Sequence, residues 1–511
     1  MGVQNQPLDR AESPWPVTVT VMLATLMVIL DMTIVNVSLP HMMGSLGATS
    51  EQITWVLTSY IVAEGVMIPL SGYLADRFGR RRVIIFSIFG FVVSSALCGQ
   101  AGTLQEIVIF RILQGMFGAP VIPLSQSTLV DSFPGAERGK AMAIFGLGVL
   151  LGPALGPTLG GYITENMNWR WVFYVNVPVG IINLMMAYAT LKKKDVEGSV
   201  RSVDWLGALF MAVGVGTLQY VIDRGNHDDW FESRSILAFT VISTASLIIF
   251  VARSWRRDDA ILRVNLLMDR NLATACFLMM AFGLALFGTI VLQPIMLQDL
   301  MGYPPETTGL IMAPRAICNA FTMALVATQM HRVGTRPMVV AGMIIMAIGS
   351  YMMSRYNLYI SPYWALLPGL VQGLGMGMVF VPLATIAFET IDPKVTDQAS
   401  ALFNLMRTLG ASIGISIVTT LLSRGTQVHW NRLGGHIYEG NPNLDRWLDA
   451  HNMTLDNPMA IYALTGEVAK QAAMLAFVND FLFIAVAMLA LTPLVLFVKS
   501  TGKPLDLSAM H

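Results

Sequence analysis

Gly72-Tyr-Leu-Ala-Asp-Arg-Phe-Gly-Arg-Arg-Arg82 separates two apolar runs, each long enough to cross a bilayer. A tight basic turn between two membrane helices marks which side of the membrane it occupies. This one also carries a single carboxylate, Asp76, among Arg77, Arg80, Arg81 and Arg82, and two ordered glycines, Gly72 and Gly79. The rest of the chain agrees with a membrane setting. It is 54% hydrophobic and only 13% charged, whereas soluble domains carry roughly 25% charge. The chain therefore reads as an all-α integral membrane protein. Zero net charge speaks against nucleic acid as a partner. Cys98, Cys276 and Cys318 all fall in apolar runs, without metal-type spacing or an even count. They read as small hydrophobes, with no metal site. Residues 1–16 lack a basic n-region, and the apolar run after them is too long for a cleaved signal, so it is expected to stay as the first span.

About 20 apolar residues cross the hydrocarbon core. Fourteen such runs are predicted, near 17–39, 54–75, 83–101, 105–130, 139–163, 170–191, 204–223, 235–252, 271–297, 306–329, 337–354, 363–388, 398–422 and 477–498. An even number puts both termini on one side. Of the 32 Lys and Arg, 21 then fall on the side of the termini and four in the short loops opposite. The positive-inside rule makes both termini cytoplasmic.

The chain also holds a diverged copy of itself. Arg111-Ile-Leu-Gln-Gly115 aligns with Gly369-Leu-Val-Gln-Gly373, and Gly152-Pro-Ala-Leu-Gly156 with Gly410-Ala-Ser-Ile-Gly414, both at an offset of 258. Asp76-Arg-Phe-Gly-Arg-Arg81 aligns with His331-Arg-Val-Gly-Thr-Arg336 at 255. The resulting plan is a cytoplasmic N-terminus (1–16), a six-helix bundle (17–194), two inserted helices (195–257) and a second six-helix bundle (258–498). The second bundle includes a long extracytoplasmic loop, 423–476, and a short tail, 499–511, follows.

The Gly72–Arg82 stretch resembles the signature loop of the major facilitator superfamily, G-x-L-x-D-R-x-G-R-[KR]-[KR], which lies between helices 2 and 3. Parallel repeats about an axis along the membrane normal are the two halves of that fold. The 6+2+6 plan resembles the fourteen-span drug:proton antiporters, the EmrB/QacA branch in particular. Leu30-Asp-Met-Thr-Ile-Val-Asn-Val-Ser-Leu-Pro40, containing Asp31 and Asn36, is similar to that branch's first-span motif. Arg111-Ile-Leu-Gln-Gly115, with Gln114, matches R-x-x-Q-G, which the family associates with proton transfer. Gly148 to Gly161, with Gly152, Pro153, Gly156, Pro157 and Gly160, matches the fifth-span antiporter motif, and Trp169-Arg-Trp-Val-Phe-Tyr-Val-Asn-Val-Pro178 the segment that follows it. The resemblance implies two pseudo-symmetric six-helix halves in a bacterial inner membrane, exporting hydrophobic or amphipathic toxic compounds by alternating access. It implies the proton gradient as energy source, with no cofactor. It also implies a latch at Gly72, Asp76, Arg77, Gly79, Arg80 and Arg81. In bacteria with two membranes it further implies a periplasmic adaptor (EmrA-like) and an outer-membrane channel, with the 423–476 loop as a candidate contact. His331 departs from the pattern where an aspartate would stand, so the latch is expected to centre on the first half.

Elementary physics points to the same residues. Ionisable groups inside a membrane cost roughly 2.5–3.5 kcal/mol each and usually face a partner or cavity. At about 1.5 Å per residue, Asp31, Glu64 and Arg111 share one layer in the outer half of the first bundle. They read as the proton-coupling set, with Asp31 the preferred carrier, Arg111 its modulator and Glu64 second; a static ion pair is the alternative. Arg315 and Arg407 lack an obvious carboxylate and, with Gln114 and Asn36, read as substrate-facing or as packing groups; the two arginines favour weakly acidic, neutral or uncoupler-like hydrophobic substrates. The glycines of the fifth span predict a close helix contact at the interface of the halves. Asp480 is expected to be interfacial and solvated, His41 to cap the first span, and residues 459–476 to lie along the outer membrane surface. No Gly-rich phosphate loop of the ATPase type occurs, and nothing supports an enzyme. Export of an endogenous lipid or siderophore-like metabolite and proton-coupled uptake remain as alternatives.

Overall fold

The computed structural model describes residues 14–133, 137–191, 204–226, 228–255, 257, 260, 262–438, 440–451 and 453–498. Most of residues 1–16, all of 195–203 and the tail 499–511 lie outside them. The first half comprises α1 (Trp15–Leu46), the single turn α2 (Ser50–Ile53), α3 (Trp55–Phe78), α4 (Arg80–Gln100), α5 (Leu104–Gly118), α6 (Val121–Ser132), α7 (Arg138–Asn166), α8 (Trp171–Tyr174) and α9 (Asn176–Thr190). Next come α10 (Trp205–Arg224) and α11 (Arg234–Ser254). The second half comprises α12 (Arg270–Ile295), α13 (Pro305–Val333), α14 (Thr335–Met353), α15 (Pro362–Glu389), α16 (Thr396–Gly434), α17 (Pro442–Ala450) and α18 (Pro458–Leu491). Among the described residues, thirteen segments are long and apolar enough to cross a membrane. With α7, 29 residues long, the chain makes fourteen crossings. Large apolar side chains such as Phe86, Ile181, Val241, Phe321 and Val486 are exposed on outward faces, which suits contact with lipid.

Local chemistry explains the breaks. Pro120 has no N–H to continue the helical ladder, so the predicted fourth span is two helices, α5 and α6. Thr103 and Glu106 close a capping box at the start of α5. The first span runs on to Leu46 and ends at Gly47, which takes the left-handed conformation. His41 is therefore an exposed residue inside α1, not its cap. The long 423–476 loop is largely helical. α16 continues to Gly434, and α18 starts at Pro458 behind an Asn457 cap. Residues 459–476 are thus part of the last membrane helix and do not lie flat on the surface. The reason is that no proline occurs between Pro458 and the end of α18, and the helix carries its glycine, Gly466, without a break. Together α16 and α18 project as a hairpin, tied by His429 and Asn479 at 2.9 Å. α17 closes its tip over a small core of Leu444, Leu448 and Ala460.

The internal repeat is visible in detail. Gly79 and Gly334 both sit at positive φ, 87° and 89°, in the two basic turns, a conformation that only glycine adopts cheaply. Gly115 on α5 is pressed against the Tyr60 carbonyl of α3, where a Cβ would lie at 2.5 Å; Gly373 on α15 is pressed against the Arg315 carbonyl of α13, where it would lie at 2.4 Å.

The glycines of the fifth span pack inside the first half. A Cβ on Gly152 would lie 2.3 Å from Ile29, on Gly156 2.0 Å from Thr33, and on Gly160 2.6 Å from the Ile34 carbonyl, all on α1. The close contact is therefore α1 on α7, not the boundary between halves. The period-four stripe predicts intimacy but not its partner. α7 meets the second half through other glycines, Gly139 beside Met330 and Gly146 beside Met323 and Phe380. Gly156→Val is expected to prise α1 from α7 and lower stability by about 1–3 kcal/mol. Thermal unfolding in detergent checks this, and a wild-type midpoint would contradict it.

Candidate functional site

Four helices of the first half converge on Asp31, which is fully buried on α1. Arg111 Nη1 of α5 donates to its Oδ2 at 2.6 Å. Gln114 Nε2, one turn along the same face of α5, donates to Oδ1 at 2.9 Å. Asn176 Nδ2 of α9 donates to Oδ1 at 2.7 Å and also to Ser95 Oγ of α4 at 3.0 Å. Arg111 is equally committed. Its Nε donates to the Val56 carbonyl at 3.1 Å and Nη1 to Gln114 Oε1 at 2.9 Å, while its guanidinium lies 4.1 Å from the Tyr60 ring centre. A buried ion pair survives only when its remaining donors and lone pairs are satisfied, as here. Glu64 on α3, 1% exposed, shares this electrostatic layer and feels Arg111 and Asp31. Unlike Asp31, its Oε2 makes no hydrogen bond among the described residues. Asn176 and Ser95 escaped sequence reading as ligands of Asp31, although Asn176 stands in the Trp169–Pro178 segment, which was the available signal.

The second assembly is a polar seam joining the halves at the basic end. Arg80 bridges Asp131 of its own half and Asp397 of α16, each at 2.8 Å. Gln398 Nε2 donates to Asp76 Oδ2 at 2.6 Å. Ser127 Oγ donates to Asp397 at 2.5 Å, and Ser400 Oγ to the Pro123 carbonyl at 2.8 Å. Asn404 Nδ2 bonds Gln126. Gly72 lets the halves touch, since a Cβ there would lie 2.9 Å from Gln398 Cα. The other basic side chains do different work. Arg77 is exposed and donates to Tyr73 Oη at 3.0 Å, and Arg81 donates to the Tyr188 carbonyl of α9 at 2.7 Å. The partners Asp131, Asp397 and Gln398 carry no local sequence signal, because only folding brings them to the loop.

The second half repeats the buried layer without its carboxylate. Gln372 Nε2 donates to Thr289 Oγ1 at 3.2 Å and to Ser350 Oγ at 3.1 Å. These residues stand where Gln114, Asp31 and Ser95 stand in the first half. Gly369 occupies the place of Arg111, and Arg315 of α13 fills the space beside it, its Nε 3.8 Å from where a Gly369 Cβ would lie. Arg315 bonds Gln293, not a carboxylate.

Residues 21–415 match the Major Facilitator Superfamily. The chain belongs to the major facilitator superfamily. Within this superfamily it is 36% identical over 426 residues to the multidrug export protein EmrB of Haemophilus influenzae, covering 83% of this chain and 84% of that one. It is 34% identical over 445 residues to EmrB of Escherichia coli K12, 86% of each. It is 36% identical over 431 residues to the fatty acid resistance protein FarB of Neisseria gonorrhoeae, 84% of this chain and 85% of that one. It is thus an EmrB-type member of the superfamily. Among solved structures, the human organic anion transporter MFSD10 overlays with a TM-score of 0.60 at 15% identity, over 93% of this chain and 99% of that one. The proton:xylose symporter XylE overlays at 0.59 and 16%, over 95% and 99%.

On this superfamily fold the remaining sequence-selected residues scatter. Asn36 is exposed on α1 and takes no part in the buried layer. Gly148 meets Met22 of α1, and Gly161 is half-buried. The side chains of Pro153, Pro157 and His331 lie outside the described residues. Arg407, 7% exposed on α16, is not isolated: Glu64 of the opposite half acts on it. Asp480 is buried, 2% exposed, instead of solvated. The cause is the early start of α18, which places Asp480 deep in a helix packed against α14 and α16.

Proposed function

We propose that this protein is a proton-driven antiporter that exports hydrophobic or amphipathic toxic compounds across a bacterial cytoplasmic membrane by alternating access, with both termini in the cytoplasm. The observation that carries the reading is the buried Asp31–Arg111–Gln114 network, built around a carboxylate in one half and without one in its repeat. Buried charge of this kind is expensive to keep, and here it sits in a chain similar to EmrB exporters. The proton gradient supplies the energy, with no cofactor. Asp31, Arg111 and Glu64 form the coupling layer, and the Gly72–Arg81 loop with Asp397 and Gln398 forms the cytoplasmic latch, engaged in the state described here. The FarB relative, named for fatty acid resistance, favours including fatty acids in the substrate range. The hairpin of α16 and α18 supports a contact with an adaptor protein, through the exposed Tyr438, Met459, Ile461 and Tyr462.

The test is substrate-triggered proton movement in proteoliposomes, across a panel of uncouplers, lipophilic cations, fatty acids and neutral antibiotics. The wild type is expected to move protons when substrate is added, and Asp31→Asn to move none. Silence of the wild type with every compound would overturn the antiport reading.

A further inference from the structure

Helices α3, α10 and α16 meet where the two halves touch, and α10 packs on both of the others. Gly72 of α3 abuts Gln398 of α16. From that contact Glu64 lies about 12 Å outward along α3, and Arg407 about 13 Å outward along the antiparallel α16. The two residues are therefore level and in opposite halves, near enough for their opposite charges to attract across the seam without a direct ion pair. Both are buried, and both keep an unbonded atom, Glu64 Oε2 and Arg407 Nε. α10 closes the third side. It is anchored outward of this level by Thr58 with Asp223, and by Arg224 Nη1 donating to Thr54 Oγ1 at 3.1 Å. At the level itself it presents Gln219, which is fully buried against Gly65 with neither amide atom hydrogen-bonded. A buried polar atom without a partner calls for a physical explanation; here three helices contribute such atoms to one junction.

We propose that Glu64, Arg407 and Gln219 form one proton-exchange site on the seam between the halves, with the inserted helix α10 as its third wall. The inference rests on the antiport reading above and assigns a task to the inserted pair. A hydronium ion gives its proton to Glu64 Oε2, leaving water and a neutral carboxylic acid. Arg407 stays charged and loses its counter-ion, so the attraction holding α3 to α16 falls and the cytoplasmic seam is free to open. There water takes the proton back, and the carboxylate pairs with Arg407 again as the seam closes. Gln219 suits both states, since its amide N–H can donate to the carboxylate and its carbonyl can accept from the acid. The other charged or titratable groups acting within this layer are Arg111 of α5, Asp31 of α1 and Tyr60 of α3 itself. The first two are bound to each other.

Spin labels at Arg82→Cys and Lys394→Cys, both exposed at the cytoplasmic end, read the seam in the full-length protein in nanodiscs. The label separation is expected to lengthen as pH falls. Glu64→Gln, nearly isosteric, should show the long separation at every pH, Arg407→Lys should keep the titration, and Gln219→Leu should move its midpoint by about one pH unit, tenfold in proton affinity. A wild-type titration in Glu64→Gln would overturn the site, and an unmoved midpoint in Gln219→Leu would remove α10 from it. Proton flux by the wild type in proteoliposomes judges the antiport reading separately, because the label titration needs no substrate.

Discussion

Arg111→Ala is expected to abolish substrate-driven proton movement and to destabilise the protein by about 3–5 kcal/mol, the usual cost of stripping one partner from a buried ion pair. The loss is compound. Asp31 would keep only the amides of Gln114 and Asn176 as donors, and its charge would stay buried without a cation. The Val56 carbonyl would lose its donor and the Tyr60 ring its guanidinium. Arg111→Lys should rescue little, because a single ammonium cannot reach Asp31, Gln114 and Val56 in the planar geometry of the guanidinium. Removing both charges, as Asp31→Asn with Arg111→Gln, is expected to recover part of the stability and none of the transport. Thermal unfolding in detergent beside proteoliposome flux separates these effects. A wild-type unfolding midpoint for Arg111→Ala would show that the network does not hold the bundle together.

Gly72→Val is the second large effect, and it acts on motion more than on stability. The new Cβ would fall 2.9 Å from Gln398 Cα and 3.0 Å from its N. Both are backbone atoms of the opposite half and cannot swing aside. The halves must separate, which lengthens Asp76–Gln398 and Arg80–Asp397 together. Turnover is expected to fall at least about tenfold with substrate binding retained, since a barrier change of about 1.4 kcal/mol already gives that factor. Arg80→Ala should be milder, about 1 kcal/mol at most, because its pairs are partly exposed to solvent. Equal turnover in Gly72→Val and wild type would mean that the seam does not close tightly during the cycle.

The fold was legible because its signals are local or periodic. Apolar runs counted the crossings, the Arg-rich turn marked one face, and the 255–258 offset exposed the repeat that Gly79 and Gly334 display in their backbone. The site was legible only in part. Asp31, Arg111 and Gln114 stood out as polar residues in apolar runs, and depth alone placed them in one layer. Their completion by Asn176 and Ser95, and the placing of Arg407 level with Glu64, depend on which helices become neighbours, which periodicity does not encode. The glycine stripe of α7 failed for that reason: spacing shows that something comes close, not that it is α1. Asp480 and the 423–476 segment failed differently, because an apolar window cannot tell where a helix that continues past the membrane begins.

That continuation has a mechanical consequence. α16 starts at the seam, with Asp397 and Gln398 in its first turn, and runs unbroken to Gly434, a rod of about 58 Å. A single rigid shaft turns small displacements at one end into large ones at the other. A tilt of about 10° about its seam end would swing the far tip by about 10 Å at this length. The hairpin at its far end is thus a pointer geared to the seam between the halves. Whatever docks on it can sense, or resist, the stroke of the transporter without touching the translocation path.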